Sequence, residues 1–206
     1  MGVFAGEEDI WAGGFYELAI ELGPRSDTRL ESAPLTLWQN VRLEGCYLRR
    51  DFEPANQQRL QPSLSLLERY GHLLGVATLP NKSQVTCGVV AIREDSGIDW
   101  LDFYLPMGAL ATAYDVGAFP FDDGKDSQWW REPLDGWLVE LAQAVFAAAP
   151  FSLALVGHEV SGHAYAADLS LNGIPAERWD GYLWQETANL LWYPPTIYNA
   201  PITAGR

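Results

Sequence analysis

Residues 84–105 constrain the fold of this chain more than any other stretch. They read Gln-Val-Thr-Cys-Gly-Val-Val-Ala-Ile-Arg-Glu, then Asp-Ser-Gly-Ile, then Asp-Trp-Leu-Asp-Phe-Tyr-Leu. The first run is β-branched and apolar at both alternating positions, the pattern of a strand covered on both sides. Asp95-Ser96-Gly97 is turn chemistry, because Gly supplies positive φ and Asp bonds its own backbone. The second run alternates, with Leu101, Phe103 and Leu105 on one face and Trp100, Asp102 and Tyr104 on the other. The stretch therefore predicts a β-hairpin at the centre of a sheet, with other strands pairing outward from it.

Further strands are expected over residues 15–22, 35–43, 72–79, 151–156 and 164–171, with a last one within 182–193. Residues 45–50 are expected to prolong the second of these. In the first, Tyr16, Leu18, Ile20 and Leu22 oppose Glu17 and Glu21, which predicts a half-buried strand with its carboxylates toward solvent. Residues 24–33 and 51–62 read as connections, residues 63–70 and 107–114 as short helices, and residues 115–131 as irregular. The main helix is expected over residues 133–148. Leu134, Trp137, Leu138, Leu141 and Val145 lay one apolar stripe along it. Pro133 suits its first position and Asp135 its first turn, and Pro150 stops it. These elements predict an α+β fold, a mostly antiparallel sheet packed against one main helix, because helices do not alternate with strands as parallel winding requires.

The chain has 206 residues, enough for one compact domain. Tyr16 to Leu22 followed by Leu37-Trp38-Gln39 is echoed by Tyr165 to Leu171 followed by Leu183-Trp184-Gln185. The echo is compatible with two pseudo-repeated halves, at 14–105 and 106–198.

Charge narrows the function classes. The net charge is −14, from 27 acidic and 13 basic side chains, and only Lys82 and Lys125 are lysines. This balance repels nucleic acid and anionic lipid surfaces. No apolar run approaches the roughly 18 residues of a membrane span, and residues 1–9 lack the basic and apolar regions of a secretory signal. Cys46 and Cys87 lie in apolar strand-like contexts, where free cysteine behaves as a small hydrophobe. A cytoplasmic setting and a basic protein partner are the expectations.

Several segments carry candidate chemistry. Gly157-His158-Glu159-Val160-Ser161-Gly162 resembles the nucleophile elbow of α/β-hydrolases, which places Gly-x-Ser-x-Gly between a strand and a helix. Glu159 stands at the nucleophile's position, Ser161 at the second glycine's, and a strand rather than a helix is expected next. His158, Glu159 and His163 carry metal-ligand chemistry, but structural sites take four ligands and zincin histidines sit four apart, not five. No metal or cofactor is predicted. Asp122, Asp123 and Asp126 around Gly124 lack the register of a calcium loop and read as a solvated turn. Asp102, sharing a face with Trp100 and Tyr104, is the carboxylate of most interest.

The aromatic residues are the remaining signal. Trp129 and Trp130 are adjacent in an irregular segment, so one of them is expected to face outward. Trp184 and Trp192 belong to an aromatic C-terminal third suited to stacking a ligand or anchoring an interface. Trp129, Trp130, Asp102, Trp100, Trp184 and Trp192 form the candidate binding set. The leading expectation is a non-catalytic acidic binding or adaptor module for a protein partner. Small-molecule or carbohydrate binding through the C-terminal aromatics is the alternative, and a hydrolase the third reading.

Overall fold

A computed structural model describes residues 3–4, 8–121 and 125–199. Eight strands form one sheet: β1 (Phe15–Pro24), β2 (Leu43–Tyr47), β3 (Leu73–Thr78), β4 (Gln84–Arg93), β5 (Ile98–Pro106), β6 (Leu153–His158), β7 (Gly181–Glu186) and β8 (Asn189–Tyr193). Their order is β2-β3-β4-β5-β1-β6-β7-β8, and every neighbouring pair is antiparallel. Five α-helices accompany them among the described residues: α1 (Asp27–Trp38), α2 (Leu64–Tyr70), α3 (Met107–Ala111), α4 (Gln128–Ala148) and α5 (Ala166–Asn172). The fold is α+β, as the sequence predicts. None of these helices is long and apolar enough to cross a membrane.

The β4–β5 hairpin forms as expected, with Val90 opposite Asp102 and Ile92 opposite Trp100. The first strand, β1, then inserts between β5 and β6, with four strands on one side of it and three on the other. That placement overturns the half-buried reading of β1. Its alternation is real, but both faces are covered. Tyr16, Leu18, Ile20 and Leu22 pack under α1, α2 and α4, together with Leu134, Trp137, Leu138, Leu141 and Val145 of α4. The opposite face carries Glu17, Ala19 and Glu21. It is covered at one end by α5 through Ala166 and Leu169, and at the far end by Phe4 against Tyr47, Leu74 and Val76. Glu17 and Glu21 are consequently buried.

Several local expectations are corrected. Residues 24–38, expected as loop and strand, are mostly α1. Ser26 caps its N-terminus by accepting from the Arg29 amide, Asp27 occupies the first turn, and Leu30, Ala33 and Leu37 bury one face. Pro34 sits inside this helix, and the alternating Leu35-Thr36-Leu37-Trp38 beyond it imitates a strand. The second strand is accordingly only Leu43–Tyr47. The α4 helix starts five residues before Pro133, so Pro133 is interior and Asp135 is a buried residue of the second turn rather than a dipole partner at the start. Residues 164–171 are not a strand but contain most of α5. The echoed segments thus adopt different structures, β1 in one case and α5 in the other. Residues 182–193 make two strands, β7 and β8, not one. The turn placed at Asp122-Asp123-Gly124 lies outside the described residues. Cys46 and Cys87 are both buried and free.

Trp38, the last residue of α1, fixes that helix to the sheet. Its ring lies against Gly45 and Gly75, which face each other across β2 and β3. A Cβ on Gly75 would sit 2.3 Å from the ring and 2.6 Å from the Glu44 carbonyl oxygen, so turning the ring would not relieve the clash. Gly75→Ala is therefore expected to destabilise the fold by about 1–3 kcal/mol, the usual cost of overpacking. Urea denaturation checks this, and an unchanged midpoint would contradict it.

Candidate functional site

Two groups of buried charge flank the start of β1, one on each face of the sheet. On the helical face, Arg131 of α4 is fully buried. Its Nε donates to the Tyr16 hydroxyl at 3.0 Å, and its Nη2 donates to the Trp179 carbonyl at 2.6 Å. The Tyr16 hydroxyl in turn donates to Asp135 Oδ1 at 2.5 Å. The rings of Tyr16, Phe119, Trp179 and Tyr198 surround the guanidinium at 4.5–5.8 Å, a setting that favours a delocalised cation. Burial pushes the Asp135 carboxyl up to about 7, against the Arg131 charge, which pulls it down. Asp180 is also raised by burial. It accepts from His163 Nδ1 at 3.3 Å and feels the Arg131 charge. This network ties β1, α4 and the segment before β7 together.

On the opposite face lie Glu17 and Asp102. The register of β1 against β5 sets Glu17 across from Tyr104 and Ala19 across from Asp102, so the two carboxylates are diagonal neighbours on adjacent strands. Glu17 is 8% exposed and Asp102 5%. Burial raises Glu17 to about 7, and the Asp102 charge adds to the rise. Burial likewise raises Asp102 to about 6, with the Ser161 side chain working the other way. The Ser161 amide donates to Glu17 Oε2 at 3.3 Å. That amide is aimed by the turn after β6, where Glu159 adopts a positive φ of 49°, a conformation that costs a non-glycine residue about 1–3 kcal/mol. Asp102 Oδ1 is buried with no hydrogen-bond partner among the described residues. Tyr104, packed on Phe15 with ring centroids 4.7 Å apart, walls one side.

The remaining candidates are scattered. Of the adjacent tryptophans, Trp129 is the outward one at 53% exposure, while Trp130 is core at 1%. Trp129 rests edge-on against Tyr114. Trp100 is buried on β5, the strand of Asp102, and packs edge-on against Tyr165 of the β6–α5 connection. Trp184 and Trp192 occupy opposite faces of the β7–β8 hairpin, since Trp184 packs with α5's cluster and Trp192 with the helical core. His158 Nε2 lies 3.3 Å from the Gly13 carbonyl, and His163 pairs with Asp180. Among the described residues no group of three His, Cys, Asp or Glu side chains is placed to hold a metal ion. The segment after Gly157 does run strand, turn, helix, contrary to the strand expected there, but β6 is antiparallel to both its neighbours.

Sequence reasoning found Asp102 and missed Glu17, Tyr16, Arg131 and Asp135. The only signal for Arg131 was its spacing, three residues before Leu134 on the apolar stripe. Charge also segregates along the chain. Sixteen of the 27 acidic residues, but only four of the 13 basic ones, lie at or beyond Glu94. From α4 to β8, residues 128–193, eight acidic side chains stand against two basic ones, so the end of the sheet bearing β6, β7 and β8 is net acidic. Five arginines, from Arg42 to Arg69, belong to the end bearing β2 and α2.

Two expectations follow from the buried charges. Arg131→Met strands Asp135 without its cation and should cost about 3–5 kcal/mol, whereas Arg131→Met with Asp135→Leu should recover much of that loss in the same denaturation assay. Recovery absent in the double variant would show that the guanidinium acts through packing alone. For Glu17 the sign is opposite to that of an ion-paired acid. Its folded value is raised, so its contribution is complete below about pH 4 and is lost as pH rises through about 7. Relative to the natural chain, Glu17→Gln should gain about 2–3 kcal/mol between about pH 5 and about pH 8. A difference independent of pH would place Glu17 in ordinary solvent.

The chain matches no family model, no curated protein and no solved structure.

Proposed function

We propose that this chain is a non-catalytic acidic binding module that docks a basic protein partner. The observation that carries the reading is the coincidence of the acidic end of the molecule with an exposed aromatic anchor. Trp129 stands in the first turn of α4, between the exposed Asp126 and Glu132. Phe121, 77% exposed, lies in the connection just before that helix. A large exposed aromatic side chain flanked in sequence by carboxylates suits an interface in which the ring supplies buried area and the charges steer the partner. The same charge excess disfavours nucleic acid. Trp184 and Trp192, turned to opposite faces of their hairpin, offer no shared platform on which a sugar could stack, which weakens the carbohydrate reading.

Immobilised protein, washed at low and then high ionic strength, tests this. A basic protein captured at low salt, then purified and titrated, should lose about tenfold or more in affinity at high salt, where screening shortens the reach of surface charge. Trp129→Ala should weaken it by about 2 kcal/mol, the size of an interface hot spot. Trp130 is unsuitable for this test, because its removal opens the core. A captured protein indifferent to both salt and Trp129 would contradict the reading, as would the absence of any basic protein at low salt.

A further inference from the structure

Five carboxylates are buried among the described residues: Glu17, Glu21, Asp99, Asp102 and Asp135. Three have an evident compensating group. Asp99 accepts from the Ser26 amide at 2.8 Å and stands 3.7 Å from Arg93 Nε. Asp135 shares the Tyr16–Arg131 network. Glu21 accepts from the amide of Ala166, the first residue of α5, at 2.7 Å. Glu17 and Asp102 do not follow this pattern. No arginine, lysine or histidine of the described residues forms an ion pair with either, and the nearest formal charges acting on Glu17 are those of Asp102 and Glu159, which repel it. The Ser161 and Val160 amides reach Glu17 and the Ser161 side chain reaches Asp102, all of them neutral donors. Independently of the clustering, Asp102 is more than nine-tenths buried, and its Oδ1 has nothing to accept from.

An uncompensated acceptor at that depth costs stability unless something outside the chain supplies the missing donor. The surroundings specify what would fit. The acceptors are two carboxylates, so the donor is cationic. Phe15 and Tyr104 present aromatic surface beside them, which suits an aliphatic stem ending in a charged head. Phe15 and Val90, the residue across β4 from Asp102, are both only half-buried, so the pair is not sealed on that side. The pair lies on the face of the sheet opposite the Arg131–Tyr16 network, so it is a contact separate from the Trp129 anchor.

We propose that Glu17 and Asp102 form a receptor for one cationic side chain, lysine or arginine, of the basic partner. This rests on the reading of the chain as an acidic docking module and identifies where that module reads its partner. With Glu17 raised to about 7 and Asp102 to about 6, the pair carries a share of one proton near neutral pH. Arrival of a cation displaces that proton to solvent, leaving two carboxylates around one positive charge.

The test is calorimetric titration of the full chain with oligolysine and with oligoarginine. It uses the natural protein, Glu17→Gln, Asp102→Asn, and Glu140→Gln as a charge-matched control on the exposed side of α4. Both site variants remove an uncompensated charge, so both should fold, and circular dichroism checks this. Each should weaken binding about tenfold or more, the scale of one lost charge-assisted contact, while Glu140→Gln changes it less than about twofold. The stronger of the two peptides identifies the preferred head group. In the natural protein, which needs no variant, affinity should tighten about tenfold from about pH 5 to about pH 8, with proton release on binding. Peptide binding that is equally weakened by all three variants, or that is flat with pH, would overturn the receptor while leaving acidic docking intact. Absence of binding by either peptide to any form would remove both.

Discussion

A strand covered on both faces has no solvent into which to turn its polar side chains, and β1 carries Tyr16, Glu17 and Glu21. Everything distinctive about the molecule follows from how these three are accommodated. The Tyr16 hydroxyl is answered by Arg131 and Asp135 from α4. Glu21 is answered by the α5 amide at Ala166. Glu17 is answered by the Ser161 amide, at 3.3 Å, and by the Val160 amide, with no cation. The first two solutions draw helices onto opposite faces of the sheet and so help to define the layers. The third leaves a carboxylate beside another carboxylate, and this is where the structure stops explaining itself by internal contacts. Proteins hold such destabilised groups where a ligand or partner completes them.

The two charged groups also differ in what they do for stability. The buried Arg131 guanidinium donates through Nε and Nη2 and has aromatic rings around it, while its Nη1 has no hydrogen-bond partner among the described residues. It is costly mainly to the variant that removes one member of the set. The Glu17–Asp102 pair is costly as it stands, because each ionised form lacks a counter-charge. One network therefore holds the α4 helix and the segment before β7 in place, while the other is held in place by its surroundings. The acidic character of the β6–β8 end, spread over exposed residues, adds little to folding but much to the long-range attraction of a cationic surface.

Much of the fold was legible from periodicity. The 84–105 hairpin, the β3 strand and the apolar stripe of α4 follow from their spacings, while α2, whose Leu64 and Leu66 also alternate, was legible from Pro62 ahead of its first turn. The failures came where a short segment fits two periods. Leu35-Thr36-Leu37-Trp38 alternates like a strand, yet a capped helix with Pro34 in its interior carries it. Tyr165 to Leu171 matches the Tyr16 to Leu22 pattern at the same offsets and still forms α5. The burial of Glu17 could not be read locally, because its cover comes from residues 159–172, far along the chain. Asp102 was legible because its whole strand was assigned to the interior of the sheet. Its partner was not, because the pairing of β1 with β5 is a long-range fact that alternation does not encode.

The central claim is that Glu17 and Asp102 are buried together without a cation. Carboxyl-carbon NMR titration of the free protein, with each resonance assigned by its Gln or Asn variant, measures this most directly. The account predicts that Glu17 titrates near about 7 and Asp102 near about 6. Titration of both at ordinary carboxylate values of about 4 would contradict it. The pair would then be solvated or already compensated, and the site proposed on it would have no basis.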